Sequence, residues 1–326
     1  MTVALRMITE SEGTPPRALA LADALDVPPQ PGSSASMREL LRVGSVPRFR
    51  PARWNDSIFD RINNNCYNYG TDVLNDKYGQ PGRASGIDPA ALECGLYTPA
   101  AVADGLISTG DEQSVAGVEF GHVVALVIAP GKDFHWYRRD RNGMWSHKVG
   151  TLTATNLDSS NRPITDPRTA DRRNGRIDYS VFCGFFCVPR GSVRIDGSGP
   201  YLERPPRASA DTRATVVRLL VFSGRPDPEW VIDTDEDTVI VAKLAAARRG
   251  TRLTAAAAAR PSRLGYRGFM IDRPGATPGT RDVTIVHAGV VNDVRLTGAG
   301  VPRADTDRLE DELLAHARRR GFGDLL

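Results

Sequence analysis

The sequence predicts an α+β protein, and three observations lead to that class. Short apolar runs between residues 123 and 147 are joined by Pro130-Gly131 and Asn142-Gly143, turn signals that join neighbouring antiparallel strands. Helical periodicity follows Cys66 and recurs over Asp237–Arg248 and Asp305–Arg319. Between these two halves the segment PRGSVRIDGSGPYLERPPRASAD, Pro189–Asp211, is broken by proline, glycine and serine and reads as a linker.

A chain of 326 residues can bury a real core as one large domain or two ordinary ones. Its 40% hydrophobic and 25% charged residues fit a soluble globular protein rather than a disordered one. The 42 basic side chains exceed the 39 acidic ones by three and are spread from Arg6 to Arg320, so no nucleic-acid partner is expected. No run approaches the roughly 18 apolar residues of a membrane span, so no membrane partner is expected either. Only Lys77, Lys132, Lys148 and Lys243 are lysines, and the arginine- and alanine-rich composition reads as bacterial, GC-rich coding. The first 32 residues interrupt every apolar run with charge or proline and lack the pattern of a secretory signal. The expected location is therefore cytoplasmic, with export by another route left open. Four cysteines, unevenly spaced, do not make a disulfide framework, which points to a reducing compartment.

Taken in order, residues 1–50 read as a poorly ordered leader with short helical stretches at Arg17–Leu25 and Met37–Leu41. Residues 51–190 form the first domain. Within it, Tyr69, Val73, Leu74 and Tyr78 fall at helical spacing after three asparagines that can cap a helix, and Pro81-Gly82 stops the run. Strands are expected at Val123–Ile128, Phe134–Arg138 and Met144–His147. Cys183 and Cys187, in YSVFCGFFCVP, read as two small hydrophobes buried in a strand, with a metal site shared with a histidine as the remoter reading. After a linker at 191–213, residues 214–326 form a small α+β module with strands at Val216–Phe222, Leu264–Ile271 and Val283–Val291. Asp237–Arg248 and Asp305–Arg319 are its helices, and Ala255–Ala259 is a helix piece or a loop.

The chemistry centres on Cys66. In the first turn of a helix, unpaired N–H groups and the helix dipole favour thiolate and can hold an oxyanion. Such a nucleophile needs a base, and His122, His135 and His147 cluster within 26 residues. Parity sorts them. With an even first loop, His135 shares a face with His122. With a two-residue turn at Asn142-Gly143, His147 pairs with Arg138 and faces away, which counts against a zinc site built from the three.

A cysteine at a helix start, a histidine 56 residues later heading the strand GHVVALVI, and a second histidine 13 positions on in FHWY resemble the NlpC-like branch of the papain-like cysteine hydrolases. The resemblance covers roughly residues 55–190 and rests on order and spacing. It departs from the family pattern in NNNCYNYG and in the insertion RASGIDPAALECGLYTPAAVADGLIS. It implies a helix packed on an antiparallel sheet, and Cys66 as nucleophile, His122 as base and His135 as orienter. A peptide or amide-bearing substrate is then expected, with no cofactor. In a variant assignment, His135 is the base and Asp140 or His147 supports it. The alternative function is a non-catalytic two-domain binding protein on an inactive scaffold of this kind, with the C-terminal module recruiting a partner that the sequence leaves unassigned.

That module offers Ser223, Arg225 and Trp230 in VFSGRPDPEW as an anion or peptide groove, or as a turn that packs Trp230 under a sheet. Asp233, Asp235, Glu236 and Asp237 lack calcium-loop spacing and read as a solvated helix start. His287, in TIVHAGVV, reads as a strand residue. Phosphate loops, dinucleotide fingerprints and aromatic-basic nucleic-acid motifs are absent from the sequence.

Overall fold

Two hairpins with three-residue loops organise the first half of the chain. β2 (Gly121–Ala129) pairs with β3 (Asp133–Arg139) so that Ala129 stands opposite Asp133, and Gly131 closes the turn at φ 69°. β3 pairs with β4 (Trp145–Lys148) so that Arg139 stands opposite Trp145, and the Asp140 N–H donates to the Met144 carbonyl across the loop. The structure is a computed structural model that describes residues 46–111, 113, 121–202, 214–232, 234–258, 262–275, 281–294 and 300–326. The leader expected over residues 1–50 lies outside the described residues as far as residue 45, with both of its expected helices.

The class is α+β. The first sheet runs in the order β1-β8-β2-β3-β4-β5, with β1 at Ile107–Gly110, β5 at Ala154–Thr155 and β8 at Val181–Pro189. β2 is buried along its whole length, which is why it reads as an unbroken apolar run rather than an alternating one. Its even residues, Val124, Leu126 and Ile128, pack with Trp136, Cys66, Tyr67 and Tyr97. Its odd residues, Val123, Ala125 and Val127, pack with Tyr137 and Trp145 on the opposite face.

That odd face meets a second six-stranded antiparallel sheet. Its order is β10-β9-β11-β12-β13-β14. The strands are β9 (Val216–Leu219), β10 (Glu229–Val231), β11 (Phe269–Pro274), β12 (Arg281–His287), β13 (Val290–Val294) and β14 (Pro302–Ala304). Val217, Leu219, Phe269, Ile271 and Val286 join the same apolar cluster as the first sheet's odd residues, together with Leu244 and Leu313. The two halves thus share one core. Residues 290–294 lie beyond a tight turn at Ala288 and Gly289, both at positive φ, so the strand expected at Val283–Val291 is two strands of a hairpin.

Seven helices are described, numbered in chain order. α1 (Ala52–Asn55), α2 (Ile58–Asn63) and α3 (Cys66–Thr71) precede the first sheet, and α4 (Cys94–Ala103) lies in the insertion. α5 (Thr234–Arg249), α6 (Ala255–Ala258) and α7 (Leu309–Arg319) belong to the second half. α3 packs on β3 and β4. It ends earlier than its periodicity predicts, because Asp72 adopts the left-handed conformation at φ 58° and donates its N–H back to Asn68 and Tyr69. Tyr78 therefore lies beyond the helix.

The segment read as a linker is docked along residues 193–202. Ile195 is buried, the Gln80 N–H donates to the Asp196 carbonyl, and the Asn63 side chain exchanges two hydrogen bonds with the Leu202 backbone. A disulfide joins Cys94 of α4 to Cys183 of β8, across 89 positions of sequence. This corrects the reading of Cys183 as an unbonded hydrophobe or a metal ligand. Disulfides persist in oxidising surroundings, so the pair also argues against the reducing compartment expected from cysteine count alone.

Candidate functional site

Asn65 supplies the cap that starts α3. Its side-chain oxygen accepts from the N–H groups of Tyr67 and Asn68, and the Asn68 side chain returns a bond to the Asn65 N–H. The N–H groups expected to hold an oxyanion are thereby occupied. Cys66 follows in the first helical position, but it is fully buried. Burial outweighs what a six-residue helix can offer and pushes its thiol up to about 12, with the nearby Asp133 carboxylate adding to the rise. The low-pKa thiolate expected from the helix start is not present.

The structure places Cys66 against Ser223 and the Trp136 backbone, not against His122. Ser223 Oγ lies 2.6 Å from His135 Nδ1, His135 Nε2 lies 2.7 Å from His147 Nδ1, and His147 Nε2 lies 2.9 Å from the Leu157 carbonyl oxygen. The carbonyl accepts only, so it fixes the direction of the whole chain. His147 Nε2–H donates to Leu157, His135 Nε2–H donates to His147 Nδ1, and the Ser223 hydroxyl donates to His135 Nδ1. Cys66 lies beside the Ser223 end of this chain. Ser223, His135, His147 and the Leu157 carbonyl are thereby joined in one neutral hydrogen-bonded chain. Burial holds both imidazoles below their ordinary range, His147 down to about 4.

His135 meets His147 because the second hairpin loop is odd, and it parts from His122 because the first is odd. Val127 stands opposite His135 and Tyr137 opposite His147, so His135, Tyr137 and His147 share one face while His122 lies on the other. The parity expectation is reversed in both of its parts. His135 is joined to His147, and Asp140 instead binds Arg138. The described residues contain no group of three or more His, Cys, Asp or Glu arranged to hold a metal ion.

Two residues of this region escaped the sequence reading. Asp133, buried on the same face as His135, accepts from the backbone N–H groups of Ser223, Gly224 and Arg225 and from the Tyr179 hydroxyl. A Cβ at Gly224 would run into the Phe134 ring, so the turn fits only as glycine. Lys148, fully buried, donates to the carbonyls of Arg61, Asn64 and Gly150. The signal for Lys148 was its rarity, a lysine in a chain that otherwise uses arginine. For Asp133 it was a carboxylate two residues before His135 in a strand. The groove imagined from Ser223, Arg225 and Trp230 does not form as such. Ser223 is interior, Arg225 donates to the Lys132 carbonyl, and Trp230 stacks on Phe322. Of the acidic run, Asp233 lies outside the described residues, and Asp235 to Asp237 fall in the first turns of α5. His287 ends β12 beside the Tyr266 ring.

His122 sits under α3, with Nε2 2.7 Å from the Gly70 carbonyl. Burial, with a smaller push from the Arg138 guanidinium and against the opposing Gly70 bond, lowers its pKa to about 4. A histidine depressed in the folded state gives stability that is present above its unfolded pKa of about 6.5 and is lost as pH falls towards 4. His122→Gln keeps a donor for Gly70 and removes the titration. Between pH 7.5 and 4 its stability relative to wild type should therefore rise by roughly 3 kcal/mol. Urea unfolding at the two pH values measures this, and a difference that does not change with pH would refute it.

No family model matches the chain, and no solved structure matches it. It is similar to insoluble matrix shell protein 1 of Ruditapes philippinarum, at 46% identity over 157 residues. The match takes in 99% of that protein and 48% of this chain. This relationship overturns the expectation of a cysteine hydrolase or thiol protease acting through Cys66, and with it the reading of the composition as bacterial, since the relative is a molluscan shell protein. A protein of an insoluble shell matrix is not a cytoplasmic one, so the cytoplasmic expectation is overturned as well. Among the described residues no helix is long and apolar enough to cross a membrane. By identity and by coverage of the relative, the chain belongs to the family of insoluble matrix shell protein 1.

Proposed function

We propose that the chain is a non-catalytic binding protein that takes its place in an insoluble matrix and acts there through its surface. The observation that carries this reading is the state of Cys66. Its thiol is fully buried beside Ser223, burial pushes its pKa up, and His122 bonds the Gly70 carbonyl instead of the thiol. The relationship to a matrix shell protein supports the same reading, as does the Cys94–Cys183 disulfide, which suits an oxidising environment. In this view the interior network is a fastening between the two sheets rather than a reaction centre.

The test is iodoacetamide labelling, followed by mass spectrometry of the Cys66 peptide. In the native protein at pH 8 Cys66 should remain unmodified over hours and label fully in concentrated urea. Rapid native labelling with an apparent pKa below about 8.5 would overturn the reading, because it would require an accessible, activated thiol.

A further inference from the structure

On the face of the first sheet that carries His122, a cleft of about 700 Å³ runs between residues 46–54, the end of α3 and the end of β8. Six arginines line it, Arg48, Arg50, Arg53, Arg138, Arg141 and Arg190. Asp72 is the one carboxylate among the described lining residues, and it is shared by Arg53 at 2.8 Å and Arg138 at 3.2 Å. Behind the wall Asp140 takes Arg138 at 2.9 Å. Arg53 and Arg138 engage these two carboxylates, while Arg50 and Arg190 line the cleft beside them.

The arrangement is built rather than incidental. Arg138 is buried, stacked on the Tyr69 ring at 4.1 Å, and donates to the Arg48 carbonyl. The Arg141 N–H donates to the Pro47 carbonyl at 2.9 Å, and its guanidinium to the Val46 carbonyl at 3.0 Å. These bonds strap residues 46–48 to the β3–β4 turn and hold Arg48 and Arg50 beside the cleft. Arg190, at the end of β8, forms the opposite wall. Guanidinium groups present paired N–H donors that match the oxygens of phosphate, sulfate or carboxylate, and a concave wall of one charge sign focuses the field on such groups.

We propose that this cleft is a binding site for a multivalent oxyanion, a ligand whose phosphate, sulfate or carboxylate groups are clustered, either as a free small molecule or as groups along an acidic polysaccharide. The inference names the partner chemistry of the binding function proposed above and rests on it. The two can fail separately, because Cys66 labelling does not involve the cleft.

Calorimetric titration of the full chain with inorganic tripolyphosphate and, separately, with chondroitin sulfate tests it. Saturable one-site binding is expected for at least one of them. Binding of tripolyphosphate alone identifies a compact ligand, and binding of chondroitin sulfate identifies the glycan source. The pair Arg50→Glu with Arg190→Glu should weaken binding by roughly tenfold or more. Arg173→Glu with Arg318→Glu changes the net charge equally at exposed positions outside the cleft and should leave affinity within about twofold. Absence of saturable binding to both probes, or equal weakening by the two pairs, would overturn the proposal.

Discussion

Replacing Asp133 with alanine is expected to destabilise the protein by about 3–5 kcal/mol, because it removes the acceptor for four buried donors at once. The carboxylate takes the N–H of Ser223 at a very short distance, the N–H of Gly224 at 3.2 Å and of Arg225 at 2.8 Å, and the Tyr179 hydroxyl at 2.5 Å. Burial pushes the Asp133 pKa up, and these four donors pull it back towards the charged form. Without them the turn at 223–225 loses its seat on β3, and Ser223 loses the position that links Cys66 to His135. Asn65 and Gln80, which both donate to the Gly224 carbonyl, hold the same turn from the other side but cannot accept its N–H groups. Asp133→Asn keeps one acceptor oxygen and should fall between wild type and alanine. Urea unfolding at pH 7 gives the stabilities, and Cys66 labelling in the folded Asp133→Ala protein should become detectable as the turn loosens. A loss below about 1 kcal/mol, with Cys66 still inert, would show that the turn is held by packing alone.

How much of this was visible in the sequence depends on the range of the interaction. The strands at Val123–Ile128 and Phe134–Arg138 were legible because apolar runs and turn residues are local signals, and the expected α+β class follows from them. Their register was not. A loop of three residues instead of two moves every side chain to the opposite face, and nothing in Pro130-Gly131-Lys132 or Arg141-Asn142-Gly143 counts the loop in advance. The extra residue in the first loop parts His135 from His122, and the extra residue in the second joins it to His147. The state of Cys66 was illegible for a different reason. Position in the first turn of α3 was correctly inferred, but a thiol's pKa there depends on what covers it, and the cover is Ser223, more than 150 residues away. Docking of the second half onto the first hides an otherwise plausible nucleophile. The arginine cleft was missed because Arg48 to Arg53, Arg138, Arg141 and Arg190 come from separate stretches, each unremarkable in a chain whose basic residues are spread throughout.

Lys148→Met should cost about as much as the loss of Asp133, about 3–5 kcal/mol, for a related reason. Lys148 Nζ donates to three backbone carbonyls, those of Arg61, Asn64 and Gly150, each at 2.5 Å. Three acceptors match the three protons of an ammonium group, even though burial pushes the Lys148 pKa well down from 10.5. Two of those carbonyls lie at the end of α2, where helix geometry leaves carbonyl groups without intrahelical partners and a cation is favoured. Lys148 therefore secures the asparagine segment that leads into Cys66 and α3. Methionine fills a similar volume but donates nothing, so three carbonyls are left buried and unpartnered. Lys148→Arg should not rescue the loss, because a planar guanidinium does not fit a fully enclosed site shaped for a compact ammonium. Urea unfolding of both variants measures the cost. The affinity of the folded Lys148→Met protein for tripolyphosphate separates interior from surface. If the interior only fastens the scaffold and the arginine cleft does the binding, stability falls while affinity stays within about twofold of wild type. A parallel loss of affinity would mean that the buried network and the cleft are one coupled system, and that the surface cannot be treated apart from the fastening beneath it.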